Sequence, residues 1–211
     1  MVSQQRNVGA IAVLDVTAED PPRAANAIPE QLILDAAYEL LLAVGMRRMS
    51  MADIARKAGV SRATLYRRWP NVRAVVGALT TREFETLSST AFAGDAETGR
   101  AGLVVGIVAA VRAVRVHPLT RKIIDVDPEF LLPYLLERRG TSTTAQLELI
   151  ELALTSDDGS IRVGNRILLA RTLWLTAWSF ALTAPVLVDG AVSLDELDDQ
   201  LRELLDRYLA P

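Results

Sequence analysis

The sequence has no cysteine in its 211 residues. Neither a disulfide framework nor a thiolate zinc site is available to it, and cysteine nucleophiles are excluded. Histidine is nearly missing too, since His117 stands alone. With Pro118 beside it, His117 reads as a helix end rather than a catalytic base. Long hydrophobic runs are also lacking. The longest, Ala101 to Val111 (AGLVVGIVAAV), stops at Arg112 and is roughly half of the ~20 residues needed to cross a bilayer. The N-terminal stretch VGAIAVLDV follows Arg6, but Asp15, Glu19 and Asp20 occupy the place of a small-residue cleavage site. No signal peptide is expected, and the reading is a cytoplasmic protein without membrane insertion.

Charge is distributed unevenly. Residues 29 to 82 hold nine basic and four acidic side chains, a net of +5, whereas residues 83 to 211 hold twelve and nineteen, a net of −7. The whole chain carries only −3. Such a split suits a polyanion-binding module joined to a part with another task.

Helical periodicity dominates the chain, and no alternating strand pattern stands out. Residues 1 to 28, rich in Pro and Ala, are expected to form a loosely ordered extension, with a DNA-contacting arm as the alternative. Ile33, Ala37, Leu40 and Val44 recur at helical spacing before Gly45, which predicts a first helix. Ser50 and Asp53 have the spacing of a capping box, opening a short second helix that ends at Gly59. Ser61 is placed to cap a third helix through Trp69, and Pro70 separates it from a longer one running from Asn71 to about Phe92. Further breaks fall at AGDAETG, His117-Pro118, RRGTST, SDDGSIRVG and VDGAVS. Between them lie Ile167 to Leu182, apolar almost all round, and Leu194 to Leu209, with leucines 194, 197, 201, 204, 205 and 209 on one stripe.

Two short helices joined by a tight glycine turn, the second capped and basic, match the helix-turn-helix arrangement. At 100° per residue, Leu65 and Trp69 share one face of the third helix, while Ala63 and Arg67 lie opposite, flanked by Thr64 and Tyr66. Arg62 sits at the helix start, where recognition helices approach base edges. Arginine suits bidentate contact with guanine, a small alanine permits close approach, and Thr and Tyr hydroxyls suit phosphate oxygens. A plain solvated helix face is the competing reading for each arginine taken singly.

The stretch ILDAAYELLLAVGMRRMSMADIARKAGVSRATLYRRWPN resembles the N-terminal domain of TetR-family transcriptional regulators. Ile54-Ala55, Ala58-Gly59-Val60-Ser61, Thr64-Leu65-Tyr66 and Trp69 carry the likeness. It implies an all-α protein: a three-helix helix-turn-helix DNA-binding domain over residues 29–72, followed by a helical ligand-binding and dimerisation domain over 73–211. It also implies base-proximal positions at Arg62, Ala63, Tyr66 and Arg67, and phosphate contacts from Ser50, Thr64, Tyr66 and Arg68. The family's lysine three residues after the aromatic is Val72 here, leaving Arg73 as the candidate replacement.

From the same resemblance, the partners are a double-stranded DNA operator and a second copy of the chain, and the default action is repression. A dimer would set two recognition helices about 34–36 Å apart, or a multiple of that, and so read a palindrome. The leucine stripe and the apolar Ile167 to Leu182 segment are the candidate dimer surfaces, with packing inside one chain as the alternative. Leu103, Ile107, Phe130, Leu131, Tyr134, Trp174 and Trp178 are candidate lining residues of an effector cavity. The scarcity of charge among the apolar segments favours a small hydrophobic effector such as a fatty acid, fatty-acyl compound or other lipophile. A helix-turn-helix factor without an effector is the alternative.

No enzyme activity, cofactor or metal is expected. GDAETGRA has the glycine spacing of a phosphate loop, but Arg100 and Ala101 replace the Lys and Ser/Thr that hold phosphate and magnesium. Asp125, Asp127 and Glu129 are clustered, yet a cation site needs further converging ligands, and a capped loop is the simpler reading.

Overall fold

A computed structural model of the chain describes residues 30–92, 98–137, 139–155 and 159–211. The expected N-terminal extension lies outside the described residues, as do most of the AGDAETG break and parts of RRGTST and SDDGSIRVG. Helices alone make up the regular structure of the described residues, in keeping with the all-α expectation.

The first helix, α1 (Glu30–Val44), buries Ile33, Leu34, Ala37 and Leu41 and ends where the periodicity predicts. Gly45 stops it with φ +77°, and a Cβ there would meet Val126 Cγ1 at 2.9 Å. Glycine is thus required twice over, for the left-handed backbone and for the close approach of a distant segment. A 3₁₀ turn, Met46–Arg48, leads into α2 (Met51–Lys57). The capping box at Ser50 and Asp53 is formed as expected. After α2, Gly59 takes φ +67° while the Val60 N–H reaches back to the Ala55 carbonyl at 2.9 Å, closing the turn of the helix-turn-helix. Ser61 accepts the Thr64 N–H at 3.0 Å and opens α3 (Arg62–Arg68).

Next come α4 (Val72–Phe92), capped by Asn71 Oδ1 on the Ala74 N–H at 2.9 Å, and α5 (Gly99–Val116). Helix α6 (Pro118–Val126) starts on the proline that follows His117, so the predicted break is present. The remainder comprises α7 (Leu132–Leu136), α8 (Thr141–Ala153), α9 (Arg166–Thr183) and α10 (Leu194–Leu209).

Two apolar cores divide the molecule. One joins α1, α2 and α3 through Leu41, Ile54, Leu65 and Trp69 to Val75, Val76 and Leu79 of α4, and to Leu119, Ile123 and Phe130. The other gathers α5, α8, α9 and α10 around Phe84 of α4. Helix α4 therefore belongs to both cores, its first half to one and its second half to the other.

The leucine stripe of α10 departs from expectation. Leu201, Leu205 and Leu209 are buried within the chain, and Leu204 is exposed. The stripe is thus used on α5 and α9 of its own chain, and it is α9 that keeps Ile167, Leu168 and Leu175 at the surface. Interior charge is also present: Arg115 and Asp198, each nearly inaccessible, pair at 2.8 Å, and the Arg112 Nε donates to the same carboxylate at 2.7 Å. Burial alone would raise the Asp198 carboxyl, but hydrogen bonds from Arg115 and Arg112 outweigh it and hold its pKa below the ordinary value.

Candidate nucleic-acid interface and adjoining cavity

Helix α3 gives only Leu65 to the core along its length, and Trp69, its capping residue, is buried beside it. Arg62, Ala63, Tyr66, Arg67 and Arg68 are exposed, and Thr64 is partly so. The face predicted for DNA is therefore the outward one. Among the described residues, Arg62 and Arg67 have no carboxylate partner, so their full charge is offered to solvent. Basic neighbours on the flanks are neutralised instead: Arg56 pairs with Asp53, and Lys57 with Glu39 at 2.6 Å.

Two polar residues expected at phosphates already serve local structure. The Ser50 N–H and hydroxyl both donate to Asp53 Oδ2, at 3.2 and 2.5 Å, while the hydroxyl accepts the Asp53 N–H. The Ser50 hydroxyl's hydrogen bond to the carboxylate, assisted by Arg56, lowers the Asp53 pKa. The Thr64 hydroxyl lies 2.8 Å from that of Ser61. The Ser50 hydroxyl must turn from Asp53 to donate to DNA, whereas the Thr64 hydroxyl can donate outward while accepting from Ser61.

An open groove of 460 Å³ runs beside α3, bordered by Arg47, Ser50, Tyr66, Asn71 and Arg73. Arg47 is a basic member of this surface that the motif did not single out, because the family likeness assigns nothing to the turn before α2. Its geometry depends on Asp127, whose Oδ2 accepts the Met46 N–H at 2.6 Å and whose Oδ1 accepts the Arg47 N–H at 3.3 Å. The Arg47 Nε then donates to Glu129 at 2.8 Å and holds that carboxyl below its ordinary pKa. Of the clustered carboxylates, Asp127 does cap a loop, but it is one some 80 residues away. Asp127 is fully buried, so this cap fastens the start of the helix-turn-helix to the segment following α6.

On the other side of α4 lies a cavity of 610 Å³ between α4, α7, α8 and α9. Phe130, Leu131, Tyr134, Trp174 and Trp178, predicted lining residues, are brought together on its wall. Trp69, Asn71 and Arg73 close its end nearest α3. Trp174 and Trp178 stack with ring centres 5.6 Å apart, and the Trp174 indole N–H donates to Gln146 at 2.7 Å. The Trp178 indole N–H is buried without a hydrogen-bond partner among the described residues. Behind the two tryptophans a narrow space of 60 Å³ reaches Ile107 and Val111 on α5. Leu103 lines neither space; it packs in the second core, one turn beyond Ile107. Lining residues on α8, such as Gln146, were missed because their helix has little apolar periodicity.

Residues 33–79 match the family described as bacterial regulatory proteins, tetR family. An uncharacterised HTH-type transcriptional regulator of Mycobacterium tuberculosis, Rv2250c, is 34% identical over 180 residues, spanning 84% of this chain and 92% of the relative. The fold is shared with the TetR-family repressor AlkX of Dietzia sp., implicated in biodegradation of n-alkanes. That likeness has a TM-score of 0.66 at 24% identity and covers 85% of this chain and 94% of AlkX. It is shared also with the transcriptional regulator FadR of Bacillus subtilis, solved in complex with stearoyl-CoA, at TM-score 0.55 and 20% identity over 86% of this chain and all of FadR. A helix-turn-helix with a full-length relative of this kind assigns the chain to the TetR family of bacterial transcriptional regulators.

Proposed function

We propose that the protein is a repressor that binds a palindromic operator as a homodimer and releases it when an acyl- or alkyl-chain effector enters the cavity. The observation that carries this reading is the joint placement of α3 and the cavity. The recognition face is turned outward, and Trp69 at the end of the same helix forms part of the cavity wall. In this reading Arg62, Ala63, Tyr66 and Arg67 meet bases, while Ser50, Thr64, Arg68 and Arg73 meet phosphates. Residues 29–72 form the DNA-binding unit and 73–211 the ligand-binding and dimerisation unit, with α4 as the lever between them.

Dimerisation is supported by the exposed apolar residues Ile167, Leu168 and Leu175 on α9. The apolar stretch Arg166–Leu187 is long enough by composition to span a membrane, yet Leu169, Ala170 and Leu173 of it lie in the second core. An aromatic, largely uncharged cavity, together with a FadR solved with stearoyl-CoA and an AlkX implicated in n-alkane biodegradation, supports the choice of effector. An effector releases DNA only by binding better to a conformation with the wrong separation of recognition helices. Native mass spectrometry of the protein from cells tests both parts. Dimers carrying a lipid, and loss of operator binding when that lipid is added back, are expected. Bare dimers indifferent to added acyl chains would favour a factor without an effector, and monomers would refute the palindrome.

A further inference from the structure

Arg73 lies where two concavities meet. It borders the 610 Å³ cavity on one side of α4 and the 460 Å³ groove beside Arg47, Ser50 and Tyr66 on the other. Among the described residues lining the cavity, Arg73 is the only charged one. The hydroxyl donors next in line are already used: Thr80 donates to the Val76 carbonyl at 2.7 Å, and Thr81 to that of Gly77 at 3.0 Å. The Arg73 guanidinium sits 5.4 Å from the centre of the Phe130 ring, which holds its flat face and leaves its edge N–H groups for an anion. No carboxylate among the described residues lies within ion-pair distance of it; Glu129, which Arg47 already engages, feels its charge only at longer range.

A single cation at one end of a cavity otherwise lined by apolar, aromatic and neutral polar side chains selects for charge. An anion there gains a charge-assisted hydrogen bond, an uncharged head group gains less, and a cation is repelled. The groove side offers the same guanidinium to DNA phosphate.

We infer that the effector is an amphiphile with an anionic head group held by Arg73, and that this guanidinium otherwise serves a DNA phosphate, so effector and operator compete for one side chain. This rests on the reading above, in which the cavity holds an effector and the α3 side meets DNA. It adds a direct term to any displacement of α4, because the two ligands draw on the same charge. By reciprocity, bound operator must weaken the effector by the factor by which the effector weakens operator.

The test uses the full chain and its Arg73→Gln and Arg73→Lys variants, with dodecanoate, dodecyl phosphate and 1-dodecanol as probes and tryptophan fluorescence as readout. Wild type should bind the two anions roughly ten- to a hundredfold more tightly than the alcohol, the range expected for a hydrogen bond to a charged group. Arg73→Gln should bring that ratio close to one, and Arg73→Lys should restore most of it. Without any probe, Arg73→Gln should reduce the salt dependence of binding to a random-sequence duplex by about one phosphate contact. An Arg73→Gln variant that keeps the anion preference, or keeps the full salt slope, overturns the shared role while leaving the effector cavity intact. If wild type binds none of the three probes, the effector reading fails and this inference falls with it.

Discussion

The arginines gathered at Asp198 and those protruding from α3 are used in opposite ways. Around the second core, four arginines are paired: Arg112 and Arg115 converge on Asp198, Arg100 meets Asp206 at 3.0 Å, and Arg202 meets Asp199 at 2.6 Å. On α3, Arg62 and Arg67 protrude without a carboxylate among the described residues, on a helix only seven residues long. Such a helix is held by Leu65, Trp69 and its Ser61 cap. The buried Arg115–Asp198 pair therefore belongs to the fold, and the unpaired arginines of α3 are available to a polyanion.

That contrast can be broken at either end. Asp198→Ala leaves Arg115 buried without its counter-ion and should destabilise the protein by about 3–5 kcal/mol in urea unfolding, while the remaining folded protein keeps its DNA affinity. Arg67→Ala should do the reverse. It should preserve the unfolding midpoint but lose about 1–3 kcal/mol of discrimination at one or two base pairs, whereas Arg68→Ala should weaken all duplexes alike and flatten the salt dependence. If Arg67→Ala left every operator variant bound equally tightly, the orientation assigned to α3 would be wrong. Ser50→Ala crosses the division: losing the α2 cap should cost about 0.5–2 kcal/mol in thermal unfolding.

The smallest effect concerns pH at the junction of the two halves. His117 lies against Tyr38 of α1 with its Nε2 3.5 Å from Glu83 of α4. Burial pushes its pKa below the ordinary 6.5, and the Glu83 charge only partly opposes this. The unfolded chain then binds the proton more readily than the folded one. This contribution to stability is present above about pH 6.5 and is lost as pH falls towards the lower folded value. Unfolding midpoints between pH 7.5 and 5 should show the slope, and His117→Gln should flatten it.

Legibility in the sequence followed the range of the interaction. The capping box at Ser50, the Gly45 stop, the Ser61 cap and the Pro118 break are set within a few residues, and each is found where predicted. The outward face of α3 follows from the same local periodicity. What escaped depends on partners far along the chain: the Asp127 cap on Met46, the burial of the α10 leucines within their own chain, and the position of Arg73 between two concavities. Residue type alone marks Asp127 as polar and Leu201 as apolar. Only packing decides whom they meet.

The most direct test of the central claim is a comparison of affinities at physiological salt. Duplexes selected from a random library by the full-length protein should contain a palindrome, bound about 10³-fold or more tightly than a scrambled duplex of the same composition. Equal affinity for the two would contradict base reading by α3 and leave only a non-specific hold on the phosphate backbone.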